Sequence, residues 1–286
     1  MAARSVVVTG ASTGIGHACV KVLAASGFHV FGGLRKPADA DRLSQEFGTG
    51  FTPLLFDVTD EAAVAAAARK VEAALEGGTL FGLVNNAGVA VPGPLLYLKV
   101  DDFRHQLEVN LTGQLIVTQA FAPLLGADRA RKGPPGRIVM ISSVGGKNAN
   151  PFMGPYNASK FALEGLSESL RRELMLFGID VIIIAPGAVA TPIWDKAEEV
   201  DVDQYANTPY LEQLKRIRTY MLERGPHGLK PEELGKAIHR ALTIAHPKTR
   251  YTVSPDGVQD TVVNILPKRL VDRMIGGRLG LMPKKA

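Results

Sequence analysis

Tyr156 and Lys160 stand four positions apart in the stretch PYNASKFALEG, residues 155–165. Side chains so spaced lie one above the other on a helix, so a phenol and an ammonium can share one pocket. A free phenol has a pKa of about 10, too high to trade protons near neutrality. An ammonium about 4 Å from its oxygen would attract the phenolate by about 1 kcal/mol in bulk water, and by about 4 kcal/mol at an effective dielectric near 20. At about 1.36 kcal/mol per pKa unit, the sheltered case brings the phenol to around 7, an upper bound because burial opposes phenolate. Taken singly, each residue has a plainer reading, as a core aromatic with a satisfied hydroxyl and as a lysine stem under a solvated head. Ser143 adds a hydroxyl at the end of the apolar run RIVMIS, and the neighbouring Ser142 reads as structural.

Positioning these groups requires a scaffold, and the apolar runs outline it. SVVVT, HVFGG, TPLLF, LFGLV, RIVMIS and DVIIIA are short and β-branched, and each reads as a buried strand. Between them lie segments of helical spacing such as DEAAVAAAARKVEAALEG and DDFRHQLEVNLTGQLIVTQAFAPLL, the latter read as one long helix. Alternation of near-continuous apolar strands with helices predicts an α/β fold, a doubly wound parallel sheet with helices on both faces. No linker or internal repeat marks a second domain, and GADRARKGPPG (126–136) reads as a solvated loop.

Directly after the first strand comes TGASTGIG, with Gly10, Gly14 and Gly16 leading into a helix expected from near His17. A glycine turn between strand and helix brings backbone N–H groups and a helix N-terminus to a pyrophosphate. The G-x-x-x-G-x-G spacing, NNAG at 85–88, Ser143 with Tyr156 and Lys160, and PGAVAT at 186–191 together resemble the short-chain dehydrogenase/reductase family, in family order over the first two-thirds of the chain. SVGG followed by YNASKFALEGLSESL resembles most the branch of 17β-hydroxysteroid dehydrogenase type 1 and the retinol dehydrogenases.

The resemblance implies a Rossmann-type fold and a catalytic set. Ser143 steadies the substrate oxygen, Tyr156 is general acid for reduction and general base for oxidation, and Lys160 also holds the nicotinamide ribose. Asn110, in LEVNLTG, is implied to hold a water behind Lys160, although an Asn inside a helix more often faces solvent. The implied cofactor cradle comprises Gly10, Ser12, Thr13, Gly14, Ile15 and Gly16, then Asp57 and Val58 at the adenine and Asn86, Ala87 and Gly88 after the fourth strand. Pro186, Gly187, Val189 and Thr191 are implied at the carboxamide. Read without the family, Asp57 caps a helix entered at Thr59 to Glu61, and Asn85 serves the sheet.

Cofactor choice follows from the second strand, where an acid would accept from the ribose hydroxyls of NAD. FGGLRKP has none there. It offers Leu34 and then Arg35, whose guanidinium suits a 2′-phosphate, although Arg35 and Lys36 also read as an exposed loop. Thr13 is not basic, so a second phosphate contact found in NADP-preferring relatives is missing. NADP(H) is therefore preferred, with NAD(H) still admitted.

The segment from Thr191 to about Pro231 is longer than a connection needs. Tyr210, Leu214, Ile217 and Met221 fall at helical spacing, giving either a substrate lid over about 191–230 or a surface helix packed on the core. With Phe152, Met153 and Trp194, an apolar lid favours a bulky hydrophobic alcohol or ketone of steroid, retinoid or aryl-ketone kind. The alternatives are a ketoacyl-thioester reductase and a non-catalytic NADP(H)-sensing regulator on the same scaffold.

The 286 residues carry 33 basic and 28 acidic side chains. From Asn264 to Ala286, Lys268, Arg269, Arg273, Arg278, Lys284 and Lys285 stand against Asp272 alone, so the excess lies within the basic C-terminal extension (about 255–286), and the chain before Asn264 is balanced at 27 of each. No nucleic-acid partner is expected. The basic tail is read as solvated or packed on a subunit, with contact to a membrane surface as the minor reading. The apolar run in MAARSVVVTG is too short for a signal peptide and VIIIAPGAVATPI too short for a span, so a cytoplasmic location is expected. Six histidines without ligand spacing give no metal site, a lone Cys19 gives no internal disulfide, and a homodimer or homotetramer is implied by the resemblance.

Overall fold

The computed structural model describes residues 4–191, 201–225 and 227–283. Among them, seven strands form one wholly parallel sheet: β1 (Ser5–Thr9), β2 (His29–Leu34), β3 (Phe51–Leu55), β4 (Gly82–Asn85), β5 (Arg137–Ile141), β6 (Asp180–Pro186) and β7 (Arg250–Val253). Their order is β3-β2-β1-β4-β5-β6-β7. The first six are the runs marked in the sequence. β7, RYTV, is a four-residue edge strand with no fully buried side chain, so it carries no apolar pattern to mark it.

Because side chains alternate along a strand, each central strand feeds two cores. Val6 and Val8 join Val84, Val139, Ile182 and Ile184 beneath helices α1 (Gly14–Ala25) and α8 (Pro231–Thr243). Val7, Leu83, Ile138, Met140 and Val181 face the other way, against α3 (Glu61–Ala74), α5 (Gly113–Phe121) and α6 (Gly154–Glu173). Fully buried Leu23, Leu234 and Ile238 each contribute about 2 kcal/mol by leaving water. A Cβ at Gly235 would lie 2.8 Å from the Ala18 carbonyl oxygen, so its absence lets α8 close on α1.

Two helix expectations are corrected. α1 starts at Gly14 rather than near His17, with Thr13 in extended conformation as its N-cap. The segment expected as one helix over 101–125 is α4 (Val100–Leu107), a π-helical turn (Glu108–Thr112), α5 and a final 3-10 turn (Pro123–Leu125). The wider π turn rotates the chain relative to a plain helix and carries Asn110 inward.

α2 (Pro37–Phe47) follows β2, and α7 (Leu211–Arg224) precedes α8. The C-terminal extension forms α9 (Gly257–Ile265) and α10 (Lys268–Leu279). α10 turns Leu279 inward against Leu214 and Ile217 of α7 and also buries Val271, so part of the tail packs on its own chain. Gln213 on α7 donates to the Gly280 carbonyl at 3.1 Å, and Arg278 lies 4.4 Å from the centre of the Tyr220 ring. Lys284 and Lys285 lie outside the described residues. No helix among the described residues is long and apolar enough to cross a membrane.

Candidate active site

Strand order reverses direction between β1 and β4, and a crevice opens at the carboxyl ends of strands on either side of such a point. The glycine turn lies there. Gly10 and Gly14 take φ of 64° and 58°, values that L side chains rarely adopt. A Cβ on Gly16 would sit 2.1 Å from the Gly10 carbonyl oxygen, so the turn exists only with glycine at that point. β4 pins it: the Asn86 amide donates to the Thr9 and Gly10 carbonyls at 2.9 and 3.1 Å, and Thr9 Oγ1 accepts from the N–H groups of Asn86 and Ala87, both at 3.0 Å. The Asn86 side chain thus holds the turn. Asn85 is buried and donates to Thr118 Oγ1 at 2.8 Å, in keeping with its reading as a sheet residue.

At the end of β2, Arg35 stands 3.7 Å from the Asp57 carboxylate, both largely in solvent, so the pair is weak. Asp57 does not cap α3. Its Oδ1 accepts from the Thr59 N–H and hydroxyl at 3.0 and 2.8 Å, while Asp60 caps the helix by accepting from Ala63 N. Partial burial raises the Asp57 carboxyl, but the two Thr59 bonds and the charges of Arg35 and His105 outweigh it and hold the group below its ordinary value. Arg42, which the sequence reading passes over, donates to the Ser12 carbonyl at 2.7 Å and brings a second guanidinium to this side of the turn. No local pattern marks it, since α2 has ordinary amphipathic spacing.

Ser143, Tyr156 and Lys160 converge from β5 and α6. Ser143 follows β5 and accepts from Gly145 N at 3.0 Å. A Cβ on Gly145 would lie 2.9 Å from Asn157 Oδ1, so glycine here lets the first turn of α6 close on the strand end. Lys160 is 4% exposed, and its Nζ lies 5.8 Å from the centre of the Tyr156 ring. It donates at 2.7 Å to the Ile141 carbonyl, which fixes the ammonium at the end of β5.

The electrostatics correct one expectation. Burial raises the Tyr156 phenol above its ordinary value, and the Ser143 hydroxyl offsets this only in part, so the depression expected from Lys160 is not found. Desolvation instead lowers Lys160, opposed by the charge of Glu164, to about 8. The low-dielectric pocket penalises both charged forms, and desolvation is the largest influence on each.

Asn110 does not face solvent. It is fully buried, accepts from Val89 N at 2.8 Å and donates to the Val89 carbonyl at 3.0 Å and to Ser159 Oγ at 3.2 Å. Ser159 in turn donates to the Tyr156 carbonyl at 2.7 Å. The π turn is thereby tied to the loop after β4 on one side and to α6 on the other. Gly88 leaves room for it, since a Cβ there would lie 3.2 Å from Asn110 Oδ1.

After β6, Gly187 N donates to the Val253 carbonyl at 2.9 Å, and Ala190 N to the Leu229 carbonyl at 2.9 Å. The segment from Pro186 to Ala190 is thus pinned by β7 and by the chain leading into α8. Nearby, Phe152 is buried at φ 62°, a left-handed conformation unusual for a bulky side chain. Its ring meets Tyr210 edge-on at 5.7 Å, and Tyr210 meets Tyr97 at 6.0 Å. Tyr205, Leu214 and Ile217 complete this apolar cluster, with Tyr210 and Met221 packed against it. Trp194 lies outside the described residues.

Two further residues join the site, and the sequence reading named neither. Glu164 accepts from Ser142 Oγ at 2.8 Å and from Arg250 Nε at 2.9 Å. Its place four residues after Lys160 was the available signal. Arg250 comes from the unmarked strand β7.

Residues 4–201 match the family model for short chain dehydrogenases. Over 272 residues the chain is 36% identical to the NADPH-dependent 3-dehydrocapnine reductase of Ornithobacterium rhinotracheale, covering 95% of each chain. It is 34% identical to retinol dehydrogenase 5 of Homo sapiens, over 98% of this chain and 89% of that one. Among solved structures, a short-chain dehydrogenase from Streptomyces avermitilis superposes with a TM-score of 0.77 at 26% identity, covering 100% of both chains.

Proposed function

Since the chain belongs to the short chain dehydrogenase family and is an oxidoreductase of CH–OH and C=O groups, we propose that it interconverts a bulky hydrophobic secondary alcohol and its ketone with NADP(H). The observation that carries this is the convergence of Ser143, Tyr156 and Lys160 at the end of β5, with Phe152 of an apolar aromatic cluster just before the start of α6. The turn fits a pyrophosphate: Gly10 and Gly14 adopt left-handed backbone, Gly16 has no space for a Cβ, and α1 presents its N-terminus. The nicotinamide supplies or accepts the hydride when bound.

The chain's own residues do the rest. Ser143 Oγ and the Tyr156 ring both border Gly145, so a substrate oxygen held between them would meet two hydroxyl donors. Tyr156 gives its proton to the forming alkoxide in reduction and takes it back in oxidation. Lys160, anchored by Ile141, presents its remaining N–H groups to a ribose. A raised phenol is a competent acid for reduction as it stands. Oxidation requires extra positive charge beside the phenol, to which the Lys160 ammonium contributes and an oxidised nicotinamide would add.

Arg35, with Arg42 nearby on the same side of the turn, supports a 2′-phosphate and so NADP(H). The named activity of the 36%-identical reductase points the same way. The 34%-identical retinol dehydrogenase and the cluster of Phe152, Tyr205, Tyr210, Leu214 and Ile217 support an apolar substrate, with α7 as its lid. A homodimer or homotetramer acting on a small molecule is part of this reading. The test is a panel of hydrophobic alcohols and ketones followed by nicotinamide absorbance with both cofactors. Turnover of bulky apolar carbonyls with NADPH supports the reading, and activity confined to carrier-bound ketoacyl substrates reverses it.

A further inference from the structure

Tyr156, Lys160 and Glu164 follow one another at intervals of four along α6, so a third side chain stands on the stripe that carries the phenol and the ammonium. Glu164 is held from two strands. Ser142, the residue before Ser143, donates to Oε1 at 2.8 Å, and Arg250 of β7 donates Nε to Oε2 at 2.9 Å while its Nη1 donates to Thr252 Oγ1 at 2.7 Å. The Glu164 and Arg250 side chains are only 12% and 19% exposed, so this ion pair works in a sheltered medium. Space for it is reserved: a Cβ on Gly146 would lie 2.8 Å from Ser142 Oγ and 3.1 Å from Glu164 Cγ.

From this geometry we propose that Glu164 is a positioning residue of the reaction, whose carboxylate keeps Lys160 charged and ties the strand end bearing Ser143 to α6. Arg250 moderates that carboxylate, setting how strongly it acts on the ammonium. The proposal rests on the role given to Lys160 above.

The groups around Lys160 leave Glu164 as its partner in charge. Its own helix carries Tyr156 and Glu164, β5 presents the Ile141 carbonyl that accepts from the ammonium, the Ser142 hydroxyl is taken up by Glu164, and the π turn reaches α6 through neutral Asn110 and Ser159. Arg250 is engaged with Glu164 and Thr252. Burial lowers Lys160 to about 8 with Glu164 opposing it, so removing the carboxylate lowers the ammonium's value further.

The experiment measures NADPH affinity by nicotinamide fluorescence from pH 7 upward, above the range in which a phosphate titrates. The parent protein is expected to lose affinity as Lys160 deprotonates. Glu164→Gln, which keeps the shape and can still accept from Ser142, moves that loss down by about one pH unit or more. Arg250→Met frees the carboxylate and moves it up. Opposite movements separate charge from bracing, since a structural brace weakens binding at every pH without moving the midpoint. Unmoved midpoints overturn the proposal, as does unfolding of both variants, which would assign the pair to stability alone. If only Glu164→Gln fails to fold, an unmoved Arg250→Met midpoint is sufficient to reject it. A parent affinity flat with pH removes the role of Lys160 itself, and this inference with it.

Discussion

Lys160 Nζ sits 5.8 Å from the centre of the Tyr156 ring and gives a hydrogen bond to the Ile141 carbonyl at 2.7 Å, so the ammonium is anchored by the strand end and not by the phenol. The phenol is held above its ordinary value, and the amine is the group pushed toward neutrality.

Tyr156→Phe removes the proton donor and leaves the ring packing intact. Turnover is expected to fall by about 10²–10⁴-fold, the usual share of a positioned acid or base, with NADPH affinity little changed. Steady-state rates together with fluorescence titration check it, and near-parental turnover with cofactor bound would reject the assignment.

Burial of the Lys160 ammonium costs stability while the group is charged. With the folded value at about 8 and the unfolded one near 10.5, the unfolded chain binds more protons between these limits. The penalty, on the order of 3 kcal/mol, is complete below about pH 8 and is relieved as pH rises toward about 10.5. Lys160→Met is therefore expected to resist urea better than the parent at pH 7, with the difference shrinking toward pH 10. A difference independent of pH would contradict it.

Replacing Arg35 with serine removes the guanidinium proposed for the 2′-phosphate. A charge-assisted bond of about 1.5–3 kcal/mol corresponds to a roughly 10- to 100-fold loss in kcat/KM with NADPH, and NADH values should change little. Equal losses with both cofactors would place Arg35 elsewhere in the mechanism.

Phe152→Gly relaxes a left-handed backbone worth about 1–2 kcal/mol and deletes the ring that meets Tyr210. KM for bulky ketones is expected to rise about tenfold or more, while small carbonyl compounds are used as before. A parallel rise for both classes would detach this ring from substrate choice.

Much of this was legible in the chain itself. Six of the seven strands, the glycine turn and the Ser143, Tyr156 and Lys160 spacing depend on local chemistry: apolar alternation, left-handed glycine and helical repeat. A sequence shows such relations because they span few residues. β7 escaped because an edge strand of four partly exposed residues carries no periodic signal. The π turn escaped because helical spacing of apolar residues continues through it, and only the fit of Asn110 against Val89 and Ser159 selects the wider turn.

Sequence alone determined the family, six of the seven strands and the candidate reactive side chains, since these follow from residue type and short-range spacing. Tertiary structure alone decided their charge states. The acidity of Tyr156 and Lys160 depends on how completely water is excluded and on which distant groups, Ile141 on β5 and Glu164 braced by Arg250 on β7, come within reach. Those distances are set by how strands far apart in the chain lie side by side, which no local pattern records.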